Sequence, residues 1–478
     1  HQANQALSLA LGYAVPMLPL ADSANIKVGN ALKLDWKTVI PPSRSLRVIG
    51  NPPFLGDHTR SAEQLEELKN AWGGNKQLSR MDYVTGWHAK TLDLFSDTEY
   101  QGEWAYVTTN SITQGDQVPR LFEPIKENGW QIKFAHRTFS WSSEAPGAAA
   151  VHCVIIGFTQ NHKVGQRLFD YPSVKGHPVE IPIKVNINPY LLDARNILVE
   201  KRSTALSPEL NLMEYGSKAT DDGNLIVEPE DYEVVMADPI ASRYVHKYIG
   251  ARELLHRESR WCLWLEDATH DEINDSPILR SRVQAVQKFR QSSQARSTRD
   301  YPYPHLFRQL AKQSNDFVCV PRVVSENRKY FTVAHLDHSV ICSDSVFQCS
   351  DPDGFQFSIL SSAMFVTWQK AIGGRLKSDL RFASTLTWYT FPLPAVGLEL
   401  RERIIDAGKE ILVTRSLHPE WSLAEHYKEE GLTQELERAH AKLDLAVDEA
   451  FGAQGASLTD SERVAVLFDN YSRMVAAE

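Results

Sequence analysis

The fold of this chain is decided by one stretch, Leu46-Arg47-Val48-Ile49-Gly50-Asn51-Pro52-Pro53-Phe54. Its apolar first half predicts a short strand that ends at Gly50, and two prolines follow Asn51 directly. Because proline fixes its own φ and disfavours helix for the residue before it, the loop after the strand is stiff and non-helical. The sequence therefore predicts a strand followed by a rigid loop that offers one amide, Asn51, and one aromatic ring, Phe54.

This loop has the chemistry needed to methylate an amino group on a flat base. The exocyclic nitrogen of adenine is a poor nucleophile until acceptors draw on both of its N–H bonds. The Asn51 side-chain carbonyl and the Pro52 backbone carbonyl can accept these hydrogens, Pro53 stiffens the loop, and Phe54 can stack on a base taken out of the duplex. The alternative is an Asn-Pro turn followed by a core phenylalanine, and we favour methylation over it.

Strand-like and helical segments alternate around this loop. The alternation predicts a doubly wound α/β sheet, in which ligands bind beyond the carboxyl ends of the strands, where Asn51 falls. The predicted strands are 26–29, 47–49, 103–108, 131–135 and 150–158, and the predicted helices are 61–71 and 119–127.

The rest of the chain changes character twice. Residues 1–165 carry the alternating pattern, residues 166–395 read as a mixed α+β domain with a helix near 279–290, and residues 396–478 read as a helical domain. In the last segment apolar residues recur at intervals of three and four residues, which is typical of a helix, and Thr459 with Glu462 forms a capping box. The sequence thus predicts three domains.

Bulk composition excludes several classes of protein. The five cysteines of the 478 residues form no CxxC pair, so we assign neither a disulfide framework nor a metal site and expect a reducing, bacterial cytoplasm. No apolar stretch approaches the roughly 20 residues that cross a bilayer, so we expect no membrane partner. Gly-rich P-loop, GxSxG and HExxH motifs and an acid pair with a nearby lysine are absent from the sequence, which does not support hydrolysis.

Charge is distributed unevenly along the chain. The net charge is −9, yet residues 279–330 contain eleven Lys and Arg and only three Asp and Glu. Residues 395–478 contain nine Lys and Arg and seventeen Asp and Glu. A basic segment in an acidic protein is typical of a local polyanion site, because phosphates supply most non-specific attraction. A solvated, salt-bridged helix face explains the charge equally well.

Two further groups are candidates for holding a flat ring. Asn30, Ala31 and Leu32 follow a predicted strand, and a small polar residue followed by an apolar one can grip the edge and face of an adenine. Phe139 or Trp141 can cover the second face of an extruded base. Their alternatives are a simple strand-to-turn transition and a core aromatic.

Together these motifs resemble, in order and spacing, the later motifs of the MmeI-like type IIL restriction-modification enzymes. The resemblance extends over most of the chain. It rests on Gly29 to Leu32, Asn51 to Phe54, Thr109 to Gly115, Phe134 to Trp141, Arg260 to Trp264, Ser362 to Met364, Gly373 to Asp379, Thr390 to Pro394 and Glu437 to Asp444.

The resemblance implies a site-specific N6-adenine DNA methyltransferase that uses S-adenosylmethionine. It implies a partial Rossmann-like class I methyltransferase sheet, then a target recognition domain and a C-terminal helical domain. Asn51 and Pro52 would bind the target amino group, Phe54 would stack on the flipped adenine, and Asn30 with Ala31 would border the adenine of the cofactor.

Double-stranded DNA is the implied partner. Arginine suits guanine edges and glutamate can accept from cytosine, whereas the last three residues below resemble phosphate-backbone contacts. The candidate DNA-binding residues are Arg290, Ser293, Arg296, Thr298, Arg299, Ser325, Glu326, Arg328, Arg375, Lys377 and Arg381.

The family's Gly-rich loop, its ribose-binding acidic residue and its nuclease would lie before His1. We therefore expect an N-terminally truncated sheet, a chain that is inert or nearly so by itself, and a missing N-terminal half as a candidate partner. Two other functions stay open. One is a sequence-specific DNA-binding module without catalysis of its own. The other is methylation of a protein glutamine, against which the basic segment argues.

Overall fold

The computed structural model describes residues 26–478 except 57–58, 76–77, 79–80, 142–150, 174–175, 377 and 429–431, together with residues 9 and 12. The chain divides into two compact units. The first contains His1–Val48 and Leu55–Glu103, and the second contains Ile49–Phe54 and Trp104–Glu478. Residues 51–54 therefore belong to the second unit.

Among its described residues the first unit contains the α-helices α1 (Ala62–Ala71) and α2 (Thr85–Phe95). Ser61 caps α1: its hydroxyl accepts from Gln64 N–H at 3.2 Å, and its own N–H donates to the Gln64 side chain at 2.9 Å. Two otherwise unpaired backbone donors are thereby satisfied, which fixes the start of the helix. The helix predicted at 61–71 is confirmed.

The strand predicted at residues 26–29 is wrong. These residues form no strand, and Ile26 and Val28 are 80% and 90% exposed. Strand propensity reflects how well a side chain fits a half-buried pleated surface, so these residues do not form a strand without that burial.

One six-stranded sheet organises the first third of the chain. Its strands are β1 (Ser43–Gly50), β2 (Tyr100–Thr109), β3 (Gln131–Trp141), β4 (Val151–Thr159), β5 (Arg167–Asp170) and β6 (Val179–Ile181). They lie in the order β1-β2-β4-β3-β5-β6, and β3 pairs antiparallel with β4 and parallel with β5. Both β1 and β2 begin in the first unit and end in the second.

The core of this sheet is aromatic. Trp104 on β2 is 2% exposed and stacks on Phe158 of β4 with ring centroids 4.0 Å apart. Helix α3 (Gln117–Glu127) follows β2 and precedes β3 in the sequence. Its Leu121 and Phe122 side chains are buried. The α/β class, the predicted helix at 119–127 and the strands at 47–49, 103–108 and 131–135 are confirmed, and 150–158 is confirmed from Val151 onward.

Short strands and helices alternate between residues 214 and 381, as the mixed α+β prediction requires. The strands are β7 (Glu214–Tyr215), β8 (Ile226–Val227), β9 (Val245–Ile249), β10 (Trp261–Leu263), β11 (Phe317–Pro321), β12 (Val323–Val324), β13 (Ala334–Leu336), β14 (Ile341–Cys342), β15 (Val346–Ser350), β16 (Gly374–Leu376) and β17 (Asp379–Arg381). They form three sheets, in the orders β14-β9-β10-β8, β13-β11-β15-β7 and β12-β17-β16. The helices are α4 (Tyr232–Ala237), α5 (Ala251–His256), α6 (His270–Asp275), α7 (Pro277–Gln291), α8 (Arg296–Arg299), α9 (Phe355–Ser361) and α10 (Ala363–Ile372).

The last part of the chain is helical, as predicted. Its helices are α11 (Leu398–Ser416), α12 (Leu423–His426), α13 (Gln434–Ala450) and α14 (Asp460–Ala476). The Thr459 and Glu462 capping box is present at the start of α14. Arg463 on α14 makes a bidentate pair with the fully buried Asp448 of α13, with N···O distances of 3.0 and 2.8 Å.

Shorter turns of helix complete the fold. They are the 3₁₀ segments Trp36–Thr38, Asn110–Thr113 and Ala241–Tyr244 and the π-helical turn Ser384–Trp388. Throughout the part of the chain that the structure describes, every helix is too short or too polar to cross a bilayer.

Candidate functional site

The predicted loop follows β1 directly. Pro52 is buried and Phe54 is half-buried, while Asn51 is exposed and, among the described residues, its amide has no hydrogen-bond partner. Gly50 lies against the Tyr106 ring, since a side-chain carbon at Gly50 would sit 3.3 Å from that ring. The loop is therefore anchored at its base, and its amide is available to a ligand.

The neighbouring strand β2 ends in polar residues. The Thr109 and Ser111 hydroxyl groups lie 2.7 Å apart, and the Thr113 hydroxyl donates to the Asn110 carbonyl at 2.9 Å. These bonds stabilise the 3₁₀ turn Asn110–Thr113. Hydroxyl groups thus fix the backbone of the β2 end.

Contacts that the sequence did not predict connect the loop after β2 to the later part of the chain. Gly115 has φ +62°, which favours glycine, and its N–H donates to the Ile372 carbonyl at 3.1 Å. Asp116 next to it pairs with Lys201 at 2.7 Å. Burial raises the pKa of Asp116, but Lys201 and Arg120 outweigh it and lower that pKa overall. A Gly-Asp pair after a polar turn was the only sequence signal for these contacts.

The two aromatic candidates on β3 have different outcomes. The Phe139 ring stacks on Tyr171 with centroids 5.1 Å apart, so one of its faces is covered. Trp141 ends β3, and its side chain lies outside the described part of the structure. On the same strand His136 stacks on Phe169 at 4.5 Å, and burial, with the charge of Arg167, lowers the pKa of His136.

The cofactor candidates lie in the first unit. The Asn30 side chain accepts from Leu32 N–H at 2.9 Å and donates to Glu67 at 2.9 Å, which fixes which end of the amide is the acceptor. The Ala31 carbonyl accepts from the Trp36 indole at 2.9 Å. Leu32 is only 6% exposed in the core of this unit, and its assignment as a cofactor contact stays a prediction.

The carboxylate of Glu67 receives several donors. The Tyr83 hydroxyl donates to it, and Lys33 lies 3.1 Å from it. Burial and the hydrogen bond to Glu67 raise the pKa of Tyr83. The orientation of the Asn30 amide is thus held by a charged network, and its oxygen, which accepts from Leu32 N–H, has a second lone pair.

Several recognition candidates converge on one small sheet. Strand β12 pairs with β17, and β17 pairs with β16, so Arg381 lies opposite both Val323 and Gly374. Glu326, just after β12, pairs with Arg375 of β16 at 3.0 Å. The Arg328 guanidinium donates to the Thr332 hydroxyl at 2.9 Å. Ser325 is half-buried in this turn, and Lys377 lies outside the described residues.

The candidates near α7 and α8 divide between interior and surface. Arg290, expected to face a DNA groove, is only 2% exposed, so the structure places its side chain in the interior. Its guanidinium donates to the carbonyls of Ala219, Thr220, Tyr303 and Leu306 at 2.8–3.0 Å. Arg296 and Arg299 are exposed, and Ser293 and Thr298 are half-buried.

Three family models match consecutive parts of this chain. They are the DNA-methyltransferase domain of MmeI at residues 1–170, the target recognition domain of MmeI at 193–395 and the C-terminal domain of MmeI at 399–477. The chain belongs to the MmeI family.

A solved structure of the type IIL restriction-modification enzyme MmeI in complex with DNA has the same fold as this MmeI-family chain. The TM-score is 0.85 at 36% identity, over 100% of this chain and 63% of that one. DNA methyltransferase A of Bacillus subtilis (strain 168) is 33% identical over 480 residues, which are 99% of this chain and 53% of the relative. The chain spans about half the length of that relative.

Proposed function

We propose that this chain is the base-binding and DNA-recognition part of an S-adenosylmethionine-dependent N6-adenine DNA methyltransferase of a restriction-modification system. The observation that carries this proposal is the exposed Asn51 amide at the head of a proline-stiffened loop anchored against Tyr106. The match to the MmeI methyltransferase model supports a DNA substrate for that loop.

The chemistry follows from the loop. With a target adenine flipped out of the duplex, the Asn51 and Pro52 carbonyls accept the two amino hydrogens and leave the nitrogen lone pair freer to attack. Phe54 stacks on the base, and Pro53 keeps the acceptors from moving away. Phe139 or Trp141 covers the second face. S-adenosylmethionine supplies the methyl group when it is bound.

The residues around Asn30 fit the adenine of that cofactor. The exposed Asn30 carbonyl can accept from an adenine amino group, while Glu67 prevents the amide from turning over. Ala31 is half-buried beside it. The chain thus contributes one hydrogen bond to the cofactor's adenine from Asn30 and an apolar contact from Ala31.

DNA recognition belongs to the exposed and half-buried candidates outside the interior. Two groups remain, each on its own part of the domain. The first contains Ser293, Arg296, Thr298 and Arg299, and the second contains Ser325, Glu326, Arg328, Arg375, Arg381 and, by its position in the sequence, Lys377. The proposed domains are the methyltransferase part at residues 1–165, the target recognition domain at 166–395 and the C-terminal helical domain at 396–478.

Base flipping provides a test that does not require methyl transfer. A duplex that the chain selects from a random pool is made with 2-aminopurine at each adenine in turn. One position should become strongly fluorescent on binding, and Phe54→Ala should weaken that signal, because stacking on an aromatic ring contributes about 1–3 kcal/mol per base. No fluorescence increase at any position, despite binding, would count against flipping.

The second candidate function is a sequence-specific DNA-binding module without catalysis of its own. The exposed arginines of α8 favour it, because they support binding whatever happens at Asn51. Tight, site-specific and salt-dependent binding without flipping or methyl transfer would select this candidate.

A further inference from the structure

A cleft of about 230 Å³ opens beside the loop that follows β2. Its walls come from that loop, from β3, from the last residue of β5, from residues 190–192 after β6, and from the region where α10 leads into β16. All of these belong to the second unit. The lining side chains used below are Gln114, Arg137, Asp170, Lys370 and Arg375.

The lining is cationic. Arg137 donates to the Leu191 carbonyl at 2.8 Å and to Asp170 at 3.0 Å. Arg375 pairs with Glu326 at 3.0 Å. Within the described residues, Lys370 has no carboxylate at ion-pair distance. Arg137 and Arg375 are thus each paired with a carboxylate, whereas the Asp460 and Glu326 carboxylates act on Lys370 only from beyond ion-pair distance.

The lysine is destabilised as a cation in this cleft. Although Lys370 is exposed at its end, partial burial lowers its pKa and the Arg375 charge adds to this, while the carboxylates of Asp460 and Glu326 act in the opposite direction without cancelling it. An anion bound in the cleft would offset both effects, since it supplies the opposite charge and accepts hydrogen bonds from the ammonium group. The cleft therefore has the charge and the donors of an oxyanion site.

Its position indicates which oxyanion enters. Arg375 lines the cleft and also belongs to β16 of the small sheet that carries Arg381, so a DNA strand bound at Arg375 would lie beside the cleft. Gln114 on the opposite wall belongs to the loop whose Gly115 is bonded to Ile372. A ligand here therefore contacts both the recognition sheet and the loop after β2.

We propose that this cleft binds one backbone phosphate of the DNA, close to the target base, with Lys370 as its main ligand and Arg137 and Arg375 beside it. The inference rests on the proposed function, because it takes the polyanion to be DNA. The bound phosphate would have a positioning role, because it would hold the DNA strand against the loop that follows β2.

Lys370→Gln removes the charge and keeps most of the side chain. Affinity for the selected duplex should fall about tenfold at low salt, and the slope of log K against log salt should become about 0.9 shallower, which is one phosphate contact. Lys370→Arg should keep most of the affinity and the slope. Lys409→Gln, on an exposed position of α11, is the matched control and should behave as wild type. A Lys370→Gln protein that unfolds like wild type and binds DNA with the wild-type slope would overturn the proposal.

A neutral methylphosphonate placed at each phosphate in turn locates the contact. At one position near the base where 2-aminopurine becomes fluorescent, the methylphosphonate should weaken DNA binding by wild type but not DNA binding by Lys370→Gln. If the two losses add at every position, the cleft holds no DNA phosphate. Inorganic phosphate, compared with chloride at equal ionic strength, tests whether the cleft binds a free anion instead of a DNA phosphate. If inorganic phosphate binds at Lys370 while every methylphosphonate loss stays additive, the site takes a free anion and the proposal is overturned. Failure of wild type to bind any duplex specifically would instead contradict the proposed function.

Discussion

Arg290 and Arg296 lie on the same basic segment of the recognition domain, yet they have opposite environments. Arg290 is 2% exposed and donates to four backbone carbonyls, so its charge organises the domain from inside. The Arg296 side chain is 88% exposed, and its single ion-pair partner among the described residues is Asp300, four residues later, at 3.1 Å. Burial and partners, rather than the count of basic residues, decide which cations can meet a polyanion.

The largest expected effect of this contrast is on stability. Arg290→Met leaves four carbonyls without their donor, and we expect the free energy of unfolding to fall by about 3–5 kcal/mol. Arg296→Met should change it by less than about 0.5 kcal/mol. Urea unfolding of both variants measures the difference. Equal, small losses would show that the interior arginine does not stabilise the domain.

The contrast extends to carboxylates in the C-terminal helices. Asp444 accepts from Ala363 N–H at 2.7 Å and from the Tyr330 hydroxyl at 3.0 Å, and burial raises the pKa of Asp444 to about 6. Because the folded state holds the proton more tightly than the unfolded state, stability from this group is full below pH 4 and is lost as the pH rises to 6. The loss amounts to about 3 kcal/mol at most.

Asp444→Asn should remove that slope between pH 4 and 6, because the amide does not titrate. The measurement is the urea midpoint as a function of pH for the variant and for wild type. Asp406→Asn, at an exposed position of α11, is the control and should follow the wild-type curve. A wild-type slope in Asp444→Asn would mean that other groups cause the pH dependence.

The smallest expected effect is on DNA affinity. Arg296→Gln should weaken binding by about 1 kcal/mol and make the salt slope about one unit shallower, with no change in stability. Fluorescence anisotropy over a salt series measures both quantities. An unchanged slope would place the α8 arginines outside the interface and limit recognition to the β12-β17-β16 sheet.

Local sequence rules predicted most of the elements and the loop. Apolar runs and capping residues placed β1, α1 and α14 correctly, because their signals lie within a few neighbouring residues. The strand at 26–29 failed because nothing in the sequence reports that Ile26 and Val28 are exposed. The position of the Asn51 loop after a strand could be predicted because its signal lies in consecutive residues, whereas its chemistry stays a proposal.

Long-range packing could not be predicted in this way. The basic count included Arg290 although carbonyls far along the chain enclose it. The pairing of Glu326 with Arg375, and the cleft that joins Arg137 to Lys370, connect residues that have no regular spacing. Only the three-dimensional arrangement separates an interior cation from one that can meet DNA.

The central claim is that the Asn51 loop directs methylation to adenine N6 in DNA. The measurement is the transfer of labelled methyl from S-adenosylmethionine to the selected duplex by this chain together with the N-terminal half expected as its partner, because the chain by itself is expected to be inert or nearly so. The labelled nucleoside is then identified. The account predicts N6-methyladenine, a loss of about 100-fold or more in Asn51→Ala with DNA affinity nearly unchanged, and wild-type transfer in the exposed control Asn315→Ala. Label on cytosine or on protein, no label despite specific binding, or wild-type transfer by Asn51→Ala would contradict it.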